Sequence, residues 1–249
     1  MYSGSKHILS FGGGVNTAAL MVLLLQEGSS LDEVVFADTG SEVPETYGYL
    51  YVAQEYLAKF GLSIRVIRRP NGESIYETCS RRKVIPSAVW RWSTRDFKVN
   101  PIHAYYRSLG VHIYQYLGIA YDEVERMRDS QVSYVTNLYP LVDAKLTRSD
   151  CVRVIEDAGL PKPAKSGCFF CPFNSRDRWA WLLEAHPDLY TKAVALEERS
   201  KHYPNQRLTD QIFRNRDAVP LREYATILKN RELAGEEEAL APCGASCMT

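Results

Sequence analysis

The chain has 249 residues, 45% of them hydrophobic and 24% charged, with 30 Lys and Arg against 30 Asp and Glu. That composition excludes a disordered or collagen-like chain, and the length suffices for one α/β domain with its own core plus a small appendage. MYSGSKHILSF lacks a basic region followed by a long apolar run, and AALMVLLL is too short to span a bilayer, so a soluble, cytoplasmic protein without signal peptide or membrane contact is expected.

In chain order, HILSF predicts a short buried strand and TAALMVLLLQEG a helix closed by Gly28. EVVFADT is a second strand ending at Asp38-Thr39-Gly40. PETYGYLYVAQEYLAKFG is a second helix, with Pro44 in its first turn and Gly61 just past its end. SIRVIRR is a third strand. Strand, helix, strand, helix, strand at this spacing implies a parallel sheet with right-handed crossovers. Residues 71–98 read as irregular, basic and aromatic, and are expected to be mobile without a ligand. PIHAYYRSLG is a helix, and HIYQYLGIAYDE a strand running into a loop. TRSDCVRVIEDAG is a helix with Thr147 or Ser149 near its start. SRDRWAWLLEAHPDLYTKAVALEERS is helical with a break at Pro187, and LREYATILKNREL is the last helix.

Charge is uneven along the chain. Residues 61–110 hold ten Lys and Arg against three acids, whereas Glu236, Glu237 and Glu238 make the tail acidic. A basic middle is a candidate surface for phosphates or nucleic acid, and equally a solvated face.

Between the first strand and first helix lies Phe11-Gly12-Gly13-Gly14-Val15-Asn16-Thr17. A Walker A loop would end in Gly-Lys-Ser/Thr, and a dinucleotide fingerprint would need a third glycine where Thr17 stands. What remains is a loop whose backbone N–H groups and following helix start can cradle an anion, or a plain tight turn.

SFGGGVNT resembles the S-G-G-x-D-S/T pyrophosphate loop of the PP-loop ATP pyrophosphatases and the phosphoadenylylsulfate (PAPS) reductase-like family. Gly12 stands at the first Ser, Gly13 and Gly14 at the glycines, Asn16 at the acid and Thr17 at the hydroxyl. FADTGSEVPETYGYL is similar to that family's F-x-D-T-G-x-x-x-P-E-T segment. TRDFKVNPI resembles its basic loop, LGIAYDEVER its G-I-x-x-D-E-x-x-R segment, and YPLV, the helix around Cys151 and SGCFFCPF complete the series over residues 6 to 180.

The resemblance implies an adenine nucleotide α-hydrolase fold: an α/β, Rossmann-like parallel sheet with helices on both faces and a helical C-terminal extension. It divides the chain into a PP-loop nucleotide-binding domain, 1–165, and a Cys-containing helical region packed on it, 166–249. ATP would lie across the C-terminal strand ends. Ser10, Gly12, Gly13, Gly14, Val15, Asn16 and Thr17 would hold the β,γ-phosphates, with Ala37, Asp38 and Thr39 near the adenosine, and Gly118, Asp122 and Glu123 completing the site. Lys98, Arg95 and Arg126, with Asn16, are the candidate catalytic residues, the cations offsetting phosphate charge alongside Mg²⁺. Two departures stand out: Asn16 brings no negative charge to a Mg²⁺ shell, and Gly12 brings no hydroxyl.

Cys168 and Cys171 form a C-x-x-C, and Cys243 and Cys247 lie near the C-terminus, four thiolates in all and enough for Zn²⁺ or a [4Fe–4S] cluster. Cluster-bearing relatives carry cysteines where this chain has Trp92-Ser93-Thr94. The alternatives are a persulfide or redox role, with Cys247 resembling the C-terminal cysteine of the reductases, and a buried structural thiol pair. Cys79 and Cys151 read as ordinary buried thiols. The five histidines show no ligand spacing; His7 is placed before the first strand and His186 before Pro187. Trp90 and Trp92 are candidates to stack on bases, and Trp179 and Trp181 to pack.

The leading expectation is an ATP pyrophosphatase that adenylylates a target for sulfur incorporation. DNA phosphorothioation is favoured as the setting, then tRNA thiolation. Expected partners are ATP, a nucleic acid, a sulfur donor such as a cysteine desulfurase, and a second copy of the chain in a homodimer. The alternatives are a reductase of adenylylated sulfate and a catalytically idle nucleotide-binding module.

Overall fold

The computed structural model describes residues 4–86, 91–200, 207–209 and 219–234, with side chains as far as 228. Cys243, Cys247 and Trp90, among the residues singled out above, lie outside the described residues. Two compact units are present: residues up to 72 together with 96–167, and residues 73–95 together with those from 168 onward.

The first unit is built on five parallel strands in the order β3-β2-β1-β4-β5. These are β1 (Ser5–Ser10), β2 (Glu33–Ala37), β3 (Ile64–Ile67), β4 (His112–Leu117) and β5 (Val135–Leu138). Residues in each strand alternate between the sheet's two faces, so neighbours in sequence enter different cores. Leu9, Val34, Phe36 and Tyr116 pack with α1 (Val15–Gln26), α2 (Pro44–Ala58) and α7 (Arg148–Asp157). Ile8, Val35, Ile67, Ile113 and Val135 pack with Ile102 and Tyr106 of α5 (Asn100–Leu109) on the other face. Helices therefore cover both faces, as an all-parallel sheet requires. Nine of the twelve α1 residues are buried, which explains an apolar run around the whole helix rather than a stripe. The reversal of strand order falls between β1 and β4, which pair along their full length from Ser5↔His112 to Ser10↔Leu117.

The remaining elements are α3 (Ile75–Arg82), α4 (Trp92–Thr94), α6 (Pro140–Asp143), α8 (Arg176–Ala185), α9 (Pro187–Arg199) and α10 (Leu221–Ala234). A π-helical turn spans Arg95–Val99 and a 3₁₀ turn Tyr121–Arg126. In the second unit Trp179 is fully buried and meets Tyr190 edge-on at 6.0 Å. Glu197, 3% exposed, accepts backbone hydrogen bonds from Leu208 (2.7 Å) and Leu221 (2.6 Å), joining α9 to the start of α10. Among the described residues no helix is long and apolar enough to cross a membrane.

Four local expectations change or sharpen. Residues 71–98 are not irregular throughout: α3 starts at a capping box in which Ser74 Oγ accepts from the Glu77 N–H and the Glu77 carboxylate accepts from the Ser74 N–H. β5 went unread because Val-Thr-Asn-Leu is four residues long and is followed by Tyr139 and Pro140. His7 lies inside β1, stacked on Tyr114 at 4.8 Å with Nδ1 3.1 Å from the Tyr116 hydroxyl. Thr147 rather than Ser149 caps α7, accepting from the Asp150 N–H.

Candidate functional site

The glycine turn sits at the C-terminal end of β1, beside the reversal of strand order, where open α/β sheets form their crevice. Phe11 continues the strand, its N–H donating to Val35 O at 2.8 Å. Gly13 then takes φ +70°, a left-handed conformation that glycine adopts without strain. Thr17 ties the turn to the helix: its hydroxyl accepts from the Gly12 N–H (3.3 Å) and donates to Gly14 O (3.1 Å). Gly14 is the N-cap of α1 and offers no side-chain cap. The first N–H groups of a buried twelve-residue helix thus start without a capping oxygen, a geometry that favours an anion.

Gly118, just past β4, closes against this turn. A Cβ added there would stand 2.6 Å from Thr17 Cγ2 and 2.8 Å from Thr17 N. The strand-end loop and the helix start therefore approach too closely for a side chain at residue 118, and glycine permits it.

The same loop brings Glu123 to Asn16. Asn16 Nδ2 donates to Glu123 Oε2 at 3.0 Å, and Arg126 Nη1 donates to that oxygen at 2.7 Å. Glu123 and Arg126 side chains are only 13% and 14% exposed, so this is no surface ion pair. A carboxylate, paired with Arg126, thus stands against the Asn16 amide. Asn16 Oδ1 is buried without a hydrogen-bond partner, an open acceptor in the first turn of α1. Asp122, by contrast, is turned to α7 and accepts from the Arg148 N–H at 3.1 Å.

At the end of β2, Asp38 is 4% exposed and heavily committed. Oδ1 accepts from the Gly40 N–H and the Tyr47 hydroxyl, both at 2.8 Å. Oδ2 accepts from Arg68 Nε at 2.8 Å and Nη2 at 2.7 Å. Burial first, then the hydrogen bond to Asp38, pushes the Tyr47 hydroxyl well above its ordinary range. Asp38 therefore shapes this turn more than it offers free acceptors. Thr39 Oγ1 donates to Glu42 Oε1 at 3.2 Å. Glu42, which sequence reasoning missed, has a side chain 1% exposed and pairs with Lys98 Nζ at 3.3 Å. Lys98 rides on the π-helical turn, a form of backbone often found at functional sites. Lys98 thus belongs with Thr39 and Glu42 in the first unit. No sequence signal marks Glu42 beyond its place two residues before Pro44.

Several basic residues of the 61–110 stretch have internal partners. Arg81 pairs with Glu73 at 2.7 Å, Arg65 with Glu33, and Arg69 lies 4.5 Å from the Phe97 ring centroid. Arg82 and Lys83 are exposed.

Arg95, Cys168 and Cys171 belong to the second unit. Cys168 O accepts from the Cys171 N–H at 3.1 Å, making the C-x-x-C a tight turn beside Phe170, which is fully buried. Two thiols do not complete a Zn²⁺ or [4Fe–4S] site. Among the described residues no group of three or more His, Cys, Asp or Glu could hold a metal ion. Cys79 and Cys151 are buried and their thiols are pushed up to about 12, chiefly by burial.

A family model, the phosphoadenosine phosphosulfate reductase domain, matches residues 6–134. An uncharacterised protein of Methanocaldococcus jannaschii is 23% identical over 242 residues, covering 90% of this chain; the chain spans 55% of that relative's length. A PAPS reductase from Candida auris in phosphate complex aligns at TM-score 0.46 and 14% identity, over 68% of this chain and 82% of that one. The U34-tRNA thiolase NcsA of Methanococcus maripaludis, solved with its [4Fe–4S] cluster, aligns at TM-score 0.47 and 12% identity, over 80% of this chain and 73% of its own.

Proposed function

Because the chain belongs to the phosphoadenosine phosphosulfate reductase domain family, we propose that it is an ATP pyrophosphatase that adenylylates an acceptor for sulfur incorporation. The observation that carries this reading is the uncapped start of α1 behind Gly12, Gly13 and Gly14, closed over by Gly118 at the strand reversal. Those N–H groups bind the β,γ-phosphates and leave the α-phosphorus accessible. An acceptor oxygen attacks that phosphorus in line, the bond to the β-phosphate oxygen breaks, and pyrophosphate leaves with the electron pair. A sulfur nucleophile then displaces AMP from the activated acceptor.

Each residue has a part in this scheme. Thr17 holds the glycine turn in register with the helix. Lys98, held by Glu42, offsets the negative charge that moves onto the leaving group. Arg126 and Asn16 fix the Glu123 carboxylate. Glu123 and the open Asn16 Oδ1 are hard oxygen donors that suit Mg²⁺, which would neutralise phosphate charge there. The described thiols do not complete a cluster site, so no step is assigned to one.

The acceptor is proposed to be a nucleic acid, DNA before tRNA, read from the basic stretch around Arg82 and Lys83. The test is pyrophosphate release from ATP and Mg²⁺ by wild type and by Gly13→Asp. The variant forces a side chain onto a φ +70° position, 3.1 Å from Thr46 Cγ2, and adds a charge where phosphate binds. Release by wild type alone supports the proposal. ATP binding without release, with or without DNA or RNA, replaces it with the nucleotide-binding module. Thiol-dependent sulfite release from an adenylylated sulfate would identify a reductase instead.

A further inference from the structure

The glycine turn lacks a hydroxyl of its own at Gly12, yet one is brought to it from far along the chain. The segment ending in Ser166-Gly167 runs over the turn, anchored by the Val43 N–H donating to Gly167 O at 3.3 Å. A Cβ added at Gly14 would stand 3.0 Å from Ser166 Oγ, and one added at Gly13 would stand 3.9 Å from Ser166 Cβ. Gly14 is the part-exposed member of the three glycines, and Ser166 is itself part-exposed, so the hydroxyl sits at the mouth of the turn rather than sealed beneath it. The turn is also where α1 begins uncapped and where Asn16 Oδ1, on a residue 6% exposed, has no partner.

We propose that Ser166 is a phosphate-binding residue of this site, its hydroxyl donating to a phosphate oxygen beside the first N–H groups of α1. This rests on the ATP-binding reading above. Two physical points support it. The absence of a side chain at Gly14 leaves the Ser166 hydroxyl within reach of whatever the helix start holds. A hydroxyl is a donor that rotates freely, so it supplements backbone N–H groups whose directions are fixed. The consequence is that Ser166 and Gly167 form one wall of the nucleotide site, although they lie far along the chain from the glycine turn.

The experiment measures equilibrium binding of inorganic pyrophosphate, ATP and adenosine to the full chain by calorimetry, for wild type and Ser166→Ala. A hydrogen bond to a charged oxygen predicts that Ser166→Ala weakens pyrophosphate and ATP binding by about tenfold or more while adenosine binding is unchanged. Equal affinities for pyrophosphate in the two proteins would overturn the assignment. A parallel fall for all three ligands would overturn it too, since it would reveal a structural role. Wild type that binds neither ATP nor pyrophosphate would instead remove the nucleotide reading, and this inference with it.

Discussion

Gly118→Ala tests the crevice most sharply. The added Cβ would meet Thr17 Cγ2 at 2.6 Å, Thr17 N at 2.8 Å and Thr17 Cα at 2.9 Å. Carbon atoms rest about 3.5–4.0 Å apart, so the shortfall is about 1 Å. A side-chain methyl could rotate away, but two of the three atoms are backbone, so the β4 loop or the start of α1 must shift. Overpacking of this kind costs about 1–3 kcal/mol. For a chain of this length that lowers Tm by roughly 3–10 °C. The shift falls where the phosphates are proposed to bind, so pyrophosphate release should fall about 100-fold. Gly48→Ala is the control: it lies within α2, a Cβ there meets nothing within 4 Å, and it should gain about 0.5–1 kcal/mol. Differential scanning fluorimetry and the release assay read both variants. A Gly118→Ala protein with wild-type Tm and wild-type release would refute the close approach and its role.

Further outcomes follow from other contacts. Asn16→Asp sets a carboxylate against Glu123 in place of a 3.0 Å hydrogen bond, and should destabilise by about 1–3 kcal/mol. The like charge raises the introduced carboxyl's pKa above its unfolded value, so the deficit grows as pH rises from about 4 to 7; denaturant melts that keep the same deficit across that range would contradict this. Glu197→Gln sets an NH2 donor against one of the two N–H groups of Leu208 and Leu221, which then has no acceptor, so Tm should fall while ATP affinity holds; an unchanged Tm would count against the buried carboxylate's part in joining α9 to α10. The Cys79 and Cys151 thiols, raised from 9.0 to about 12, contribute stability that is full below pH 9 and lost between about 9 and 12. Replacing either by Ala should leave the fast thiol reaction at pH 8 unchanged, and a loss of one fast thiol would show that burial does not protect it.

Much of the first unit was legible because its signals are local. Apolar runs bounded by Gly28 and Gly61, Pro44 at a helix start and Thr147 before an apolar helix all act within a few residues. Asn16, Asp38 and Lys98 were legible only through the ordered series of motifs. Glu123 was named in the same way, but its pairing with Asn16 was not legible: 107 residues separate the two, and no periodicity joins them. Glu42 was hidden because a buried carboxylate looks, in sequence, like any exposed one until its cation appears. Ser166 was hidden for a similar reason, since its relation to Gly14 exists only after the chain has returned over the sheet. β5 escaped because four residues with a polar interruption carry too little pattern to separate from a loop.

The central claim is that ATP is cut between its α- and β-phosphates. The most direct measurement incubates the protein with α-labelled ATP, Mg²⁺ and candidate DNA or RNA, then separates the products. Label in AMP or on the acceptor, with an equal yield of pyrophosphate that Gly13→Asp abolishes, is the predicted result. Label in ADP with release of orthophosphate would contradict it.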